Sequence, residues 1–499
     1  MLRLLGSEKR LCDQISRRDL LEVGGLSALG LTLADALQLR EARATVPEQT
    51  SLFGKAKACI LLFPFGSPPQ HETFDPKPDA PVEIQGELKA IGTKVPGVAI
   101  GERLPRTAAI ADKITLVRSL NHPYPVHGVA YALTGMPTYT PTIEASPRAA
   151  EHWPSIGSLV DYFKQPRESG APSPLPRNIG LPWQFGSKSD LPTLAGPYAA
   201  FLGQAYDPVW TDFDGAGTRA VPKLTGGQKK EVRDPFAGVL PSGAFRLSGA
   251  GAPSADVPSE RMDARRSLLA KFDRARVAID ESEPAQLMNQ YRQRAYSLLC
   301  SSAMRTALDV QRESPAVRER YGMTLFGQAC LAARRLTEAG ATFVSVYWDP
   351  FELFGGSCWD THENHFPRLK EYLLPVFDQT YSALIADLDE RGMLDETLVL
   401  CFSEHGRTPR IDSKPQGGGR HHWSRVYSAA LAGGGIGRGK VVGRSDAQGG
   451  DVADTPVSPK DILATALHLL GIDPHTLVQD RLGRPLPIAG DGRFRPELC

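Results

Sequence analysis

The sequence predicts an α/β fold: a mostly parallel central sheet, helices on both faces, and long loop insertions. Three observations predict it. Short, continuously apolar runs such as Ala58-Cys59-Ile60-Leu61-Leu62-Phe63 fit strands buried on both faces. Helical periodicity leads repeatedly into such runs: Phe326–Ala339 stops at Gly340 before Ala341–Tyr347, and Phe366–Arg391 stops at Gly392 before Thr397–Phe402, the alternation of a sheet with covering helices. Finally, 48 Gly and 41 Pro in 499 residues call for long ordered loops on a regular core.

The remaining elements follow in order. Ile114–Ser119 repeats the strand pattern and breaks into Asn121–Gly128 before a helix-like Val129–Thr134. From Ser187 to about Pro258 periodicity gives way to Gly, Pro and Ser, which predicts a loop-rich insertion. Leu268, Phe272, Ala275 and Ile279, then Leu287, Tyr291, Ala295 and Leu298, have helical spacing. Val426–Ala432 reads as a strand before three glycines, and Pro459–Leu470 as a helix ended by Gly471.

The first eighteen positions hold Arg3, Lys9, Arg10, Arg17 and Arg18 against two acids, and a moderately apolar stretch with an Ala42-Arg43-Ala44 site follows. This order predicts a twin-arginine export signal over residues 1–44 and a periplasmic or secreted mature protein, 45–499. An amphipathic helix with a chance arginine pair is the alternative. No later run approaches the ~20 apolar residues of a membrane span, so no transmembrane anchor is expected in the mature chain.

Composition narrows the function. With 57 Lys+Arg against 56 Asp+Glu the formal charge is +1, which provides no basic face for a phosphate backbone and argues against nucleic-acid binding. The seven cysteines are scattered, without a C-x-x-C pair or a disulfide framework; Cys59 and Cys401, inside apolar runs, read as buried thiols. Gly433–Gly437 and Gly417–Gly419 complete neither a dinucleotide nor a phosphate-loop fingerprint, so both read as loop glycine and a redox enzyme is not favoured.

Ligands in open α/β sheets bind beyond the carboxyl ends of strands. Five such positions are rich in His and acid: His71-Glu72-Thr73-Phe74-Asp75, then His122 and His127, then Asp360-Thr361-His362, then Glu404-His405, and Arg420-His421-His422 before the last strand. All histidines but His468 and His475 lie in or near these loops. Imidazole with carboxylate suits Zn, Mn or Fe, although any one of these residues alone reads equally well as a polar loop residue.

Ser403-Glu404-His405-Gly406 after an apolar strand resembles the Ser/Ala-Asp-His-Gly element of the alkaline phosphatase superfamily, which includes the sulfatases. Pro459–Ile472 is similar to a helix that closes many sulfatase domains, and Leu133-Thr134-Gly135 to the end of the sulfatase nucleophile helix. With Thr73–Pro78, Tyr321-Gly322, Trp359–His362, Ser403–Pro409 and Ala432–Gly435, the chain resembles more closely a family of exported, sulfatase-related bacterial proteins carrying a domain of unknown function. The resemblance implies an alkaline-phosphatase-like three-layer sandwich and one or two divalent ions, Zn or Mn. Glu404 and His405 would bind one ion with Glu72 or Asp75, and Asp360, His362 and His422 the other.

The sulfatase Cys/Ser-x-Pro-x-Arg nucleophile is absent, and Phe65-Gly66 stands where Asp-Gly usually ends the first strand. The expectation is therefore a hydrolase of phosphate or sulfate esters, a sulfated or phosphorylated polysaccharide among them, that uses metal-activated water. In it His127 protonates the leaving oxygen, and Arg407 or Arg420 holds the anion. The alternative is a non-catalytic protein of the same fold that binds or scaffolds the cell envelope or a polysaccharide.

Overall fold

The computed structural model describes residues 52–499 except 125–126, 137–139, 166–174, 190–192, 219–220, 226–227, 233–235, 249–300, 350–357 and 414–417. The expected export signal and the helices expected within 268–298 lie outside the described residues. Gly54–Cys499 form one compact unit.

The strands of its central sheet, with a two-residue ladder beside it, are β1 (Ala58–Phe63), β2 (Ile114–Leu120), β3 (Asn178–Leu181), β4 (Val209–Asp214), β5 (Ala244–Leu247), β6 (Phe343–Tyr347), β7 (Thr397–Cys401), the ladder strands β8 (Gly406–Arg407) and β9 (His422–Trp423), β10 (Tyr427–Ala432) and β11 (Lys440–Val442). The sheet order is β11-β2-β10-β7-β1-β6-β3-β4-β5. β1 lies parallel between β6 and β7, with Ile60 opposite Val344 and Val399. β3 and β4 continue the parallel run, and β11 is parallel to β2. β10 is antiparallel to both β7 and β2, and β5 is antiparallel to β4. The sheet is thus mixed but mostly parallel.

The apolar runs form strands because both faces are covered. Side chains alternate along a strand. Ile60 and Leu62 enter the core shared with helices α3 (Leu325–Glu338) and α4 (Leu374–Glu390), while Cys59, Leu61 and Phe63 are equally buried on the opposite side. On that side α2 (Ile156–Phe163) packs against β3 and β6; a Cβ on its Gly157 would stand 3.0 Å from the Phe343 ring. Helix α1 (Val129–Thr134) packs on α5 (Pro459–Leu469), whose N-terminus is closed by the reciprocal Ser458–Asp461 capping box.

One expectation gains a detail and one needs correction. The helix expected over Phe366–Arg391 runs without interruption from His365 to Glu390 and contains a π-helical turn, Leu369–Leu373, before α4; Pro375 has no N–H to offer the Glu371 carbonyl, and the turn widens there. The segment expected as a loop-rich insertion supplies β4 and β5, which extend the sheet at one end. Among the described residues no helix is long and apolar enough to cross a membrane. Cys59 and Cys401 are buried and free, and burial pushes both thiols far above their ordinary range.

The topology sets where chemistry can occur. Strands β1, β2, β6 and β7 run the same way, so their carboxyl ends share one rim. Because β10 runs the other way, Tyr427 at its start lies opposite Leu120 at the end of β2, and the residues before it reach that rim too. Gly66 at the end of β1 has φ +92°, and a Cβ there would meet the Asp360 backbone nitrogen at 2.3 Å.

Gly66→Ala is therefore expected to lower the denaturant midpoint by the equivalent of at least about 2 kcal/mol; unchanged stability would contradict the close approach. A second expectation concerns Asp349, just past β6, whose Oδ2 accepts from Trp183 Nε1 and Gly186 N, both at 2.8 Å. Burial raises this carboxyl from 3.8 to about 7. A raised folded pKa stabilises below the unfolded value and loses that stabilisation as pH rises through the folded one. Stability measured by chemical denaturation should decline across that window, and Asp349→Asn should flatten the decline; an identical pH slope in the variant would refute the assignment.

Candidate metal centre

Glu404, at the end of β7, is fully buried. Its Oε1 accepts from Gly66 N at 2.9 Å and meets His127 Nδ1 at 2.7 Å, while Oε2 accepts from Ser403 Oγ at 2.5 Å. Burial alone would raise its pKa, but the bonds to His127 and Ser403 hold it below the ordinary range. His122 donates from Nε2 to the Glu404 carbonyl at 2.6 Å and accepts the Tyr124 N–H on Nδ1 at 3.1 Å. With both ring nitrogens used and burial lowering its pKa to about 4, His122 is a structural residue.

Beside Glu404, three imidazoles converge. His127 stacks on Phe65 with ring centroids 5.1 Å apart and stands 4.2 Å from the His422 ring and 4.8 Å from that of His405. His405 Nδ1 donates to the Gly406 carbonyl at 2.8 Å, which leaves the lone pair on Nε2. That Nε2 is buried and has no hydrogen-bond partner among the described residues. Burial, reinforced by the charges of His127 and Arg407, keeps His405 neutral well below its ordinary pKa. One ligand atom each from His127, His405 and His422 lies within 4.8 Å of the others.

A second group shares His422. Asp360 Oδ1, His362 Nε2 and His422 Nε2 are separated by 3.0, 3.3 and 2.9 Å. Burial would raise the Asp360 pKa, yet Arg407 and bonds from His127, His362 and His422 hold it well below the usual carboxylate range. Burial lowers His422 to about 4. Burial works to lower His127, but its bonds to Asp360 and Glu404 raise it to about 9, so this ring must release a proton before it can serve as a ligand. With that proton lost, His127, the neutral His405 and His422, and the ionised Asp360 form a donor set that fits zinc, manganese or iron.

The structure thus brings His127, Asp360, His362, Glu404, His405 and His422 to one rim, with Glu404, expected as a ligand, outside both groups and bonded to His127 instead; the other predicted residues lie apart from the two groups. Glu72 is fully buried against Arg420, with Oε1–Nη2 at 2.5 Å, and His365 Nε2 lies 3.3 Å from its Oε2. Against the cost of burial, Arg420 and His365 lower its pKa to about 2. Asp75 accepts from Ser445 Oγ and from Lys77 Nζ at 3.0 Å, with Arg118 at 3.7 Å. Neither carboxylate joins the ligand groups that the resemblance implied for it, because each faces an adjacent buried or half-buried cation.

The two arginines likewise depart from their expected role. Arg407 is fully buried and donates to the carbonyls of Gly66, Ser67 and Arg420 and to Asp360. Arg420 is fully buried on Glu72 and the carbonyls of Ile84, Thr408 and Pro409. Neither guanidinium faces the shared rim as a holder of substrate anion. Sequence reasoning treated His127 as an acid and passed over its place among the imidazoles. It also passed over Glu144, whose buried carboxyl accepts the Ala130 N–H of α1 at 3.2 Å and is raised by burial to about 8, and it missed the contact of His421 with His362. The position of His127 just ahead of α1, and the His421-His422 doublet, were the available signals.

Solved structures with a similar chain course include Ps i-CgsB, at 11% identity and TM-score 0.39 over 88% of this chain and 75% of that chain. A sulfatase from Pseudoalteromonas sp. is similar at 12% identity and TM-score 0.35, over 86% of this chain and 72% of that one. A lipoteichoic acid synthase from Listeria monocytogenes is similar at 11% identity and TM-score 0.34, over 91% and 79%. No curated protein sequence matches the chain. Residues 56–498 match the family described as protein of unknown function, DUF1501, and the chain belongs to that family.

Proposed function

We propose that this protein is a metal-dependent hydrolase of phosphate or sulfate esters, exported by the twin-arginine route to the periplasm or beyond. The observation that carries the reading is the pair of overlapping groups joined at His422, with the orphaned Nε2 of His405 buried among them. His127, His405 and His422 would hold one ion, and Asp360 and His362, beside His422, a second. A divalent ion bound there supplies a water acidic enough to be deprotonated near neutral pH and neutralises charge that develops on the ester.

The chain's own residues prepare that chemistry. Glu404 grips His127 through Nδ1 and fixes the ring, the task of a carboxylate behind a metal-bound histidine. In this reading His127 is a ligand that gives up its proton when the ion binds; while it stays protonated, with its pKa raised to about 9, it keeps the form the sequence-based role of leaving-group acid requires. Arg407 balances the charge of Asp360 and ties it to the end of β1. Ser403 Oγ, bonded to Glu404, and Ser67 Oγ, 3.3 Å from it, are both buried and engaged with one another, which supports water rather than either hydroxyl as nucleophile. The substrate class is an anionic ester, a sulfated or phosphorylated polysaccharide included.

One observation favours a second reading, a protein of this fold that binds an envelope polysaccharide without turnover: Arg407 and Arg420 are both engaged inside the protein, so neither is available for the ester's charge. Metal analysis of the purified protein, followed by a panel of aryl sulfates, phosphomonoesters and phosphodiesters, separates the two. The expected result is one to two equivalents of zinc or manganese, reduced in His405→Ala and His362→Ala, with hydrolysis of at least one ester class that falls below detection in both variants. Metal-free protein, as stable as its variants and inert to all three classes, would replace the hydrolase with the binding protein.

A further inference from the structure

A cavity of about 530 Å³ opens beside β2 and β11, outside both ligand groups, and is lined by the cations Lys77, Arg118 and Arg444 and the carboxylates Asp75 and Asp446. That volume lies within the usual range of ligand pockets, about 300–1,000 Å³. Arg118, two residues short of the end of β2, donates from Nε to the Phe74 carbonyl at 2.8 Å and from Nη2 to the Ala99 carbonyl at 2.6 Å. Its Nη1 makes no hydrogen bond among the described residues. Burial works against the charge of this guanidinium, and Asp75, with Oδ1 3.7 Å from Nε, offsets that only in part.

The two carboxylates are committed. Asp75 Oδ1 also accepts from Lys77 at 3.0 Å, so one oxygen serves two cations, while Oδ2 accepts from Ser445. Asp446 Oδ1 accepts from the backbone N–H groups of Gln448 and Gly450 at 3.0 and 2.8 Å. Arg444 is exposed and forms no ion pair among the described residues. Donors therefore outnumber acceptors around the cavity, and an oxyanion with several oxygens matches the surplus.

The cavity lies on the same rim as the metal centre. In the sheet order β2 is two strands from β7 and three from β1, about 10 and 14 Å at the usual strand spacing, a span that a few linked sugar residues cover. The loop over residues 443–451 separates the two places and is fixed on the side of the centre: Trp423, next to His422, donates from Nε1 to the Gly450 carbonyl at 2.6 Å, and His71 Nε2 meets the Gln448 carbonyl at 2.8 Å.

We propose that this cavity is a second anion subsite, which holds a sulfate or phosphate group that does not react, carried by the same polysaccharide chain whose ester lies at the metal centre. The substrate class then narrows to polysaccharides with anionic groups on more than one residue. This narrowing rests on the hydrolase reading, and the anion subsite by itself does not.

The test is calorimetric titration of the full chain with sulfated and neutral dextran oligosaccharides of equal length, at 0.15 M NaCl, where attraction between distant charges is screened beyond about 8 Å. The sulfated form should bind and the neutral form should not. Because Arg118 holds two backbone carbonyls, the charge is removed elsewhere: Lys77→Gln/Arg444→Gln should weaken binding at least roughly tenfold, and Ala453→Glu, which adds a carboxylate to the exposed wall, should do the same. The charge-matched control Lys57→Gln/Arg438→Gln, at the amino ends of β1 and β11, should bind as the wild type does. Unchanged affinity in both cavity variants, or an equal loss in the control, overturns the proposal. Inorganic sulfate that binds as tightly as the oligosaccharide would assign the cavity to a free anion and overturn the polysaccharide. Binding retained in His362→Ala/His405→Ala supports the subsite even if the protein is metal-free and hydrolyses no ester, whereas binding lost there places the anion at the metal centre and overturns it.

Discussion

The candidate site depends on one buried ion pair. Arg407 and Asp360 are both sealed from solvent, and Arg407 also bonds the carbonyls of Gly66, Ser67 and Arg420. A single guanidinium therefore ties the end of β1, the loop after β6 and the approach to β9 to the end of β7. Burying two charges is unfavourable unless geometry and further hydrogen bonds compensate, and loss of one partner of such a pair typically costs about 3–5 kcal/mol. Here each guanidinium nitrogen meets an acceptor. The outcome is less a gain in stability than a fixed position for Asp360, from which the placement of His362 and His422 follows.

A second buried pair does similar work one layer further in. Glu72 and Arg420 are fully enclosed, His365 lies against Glu72, and its Nδ1 stands 2.7 Å from Thr361 Oγ1. Thr361 lies between Asp360 and His362, so this network grips the segment that carries two of the six candidate residues. Two enclosed arginines thus serve the frame of the site, and the rim is left to imidazoles and two carboxylates. The neutral donors His405 and His422 beside an ionised Asp360 suit a cation, provided His127 releases the proton that Asp360 and Glu404 hold on it.

Much of this was legible in the sequence. Strand cores such as Ala58–Phe63 and Thr397–Cys401 announce burial on both faces, and the strand-end rule pointed to His127, Asp360, His362, Glu404 and His405 before any coordinates. It reached His422 as well, for a reason invisible in one dimension: β10 runs antiparallel, so the residues before it, not after it, meet the shared rim. The π-helical turn ahead of Pro375 and the strands β4 and β5 were harder to see, since the first depends on one missing N–H and the second on short edge pairings in a Gly- and Pro-rich stretch. Which cation answers which carboxylate was not legible at all. Glu72 and Asp75 have the composition of ligands, and only tertiary packing sets Arg420 and Lys77 against them. The same holds for Arg407, whose type fits an anion clamp and whose burial excludes it.

The central claim is that the two groups joined at His422, His127 with His405 and Asp360 with His362, hold divalent cations. Anomalous diffraction from crystals of the purified protein, recorded on either side of the zinc and manganese absorption edges, tests it most directly. The account predicts an anomalous peak at about 2.0–2.1 Å from histidine nitrogens of at least one group, with His422 among the ligands. A peak at Glu72 or Asp75 instead, or no peak in crystals grown with either metal, would contradict it.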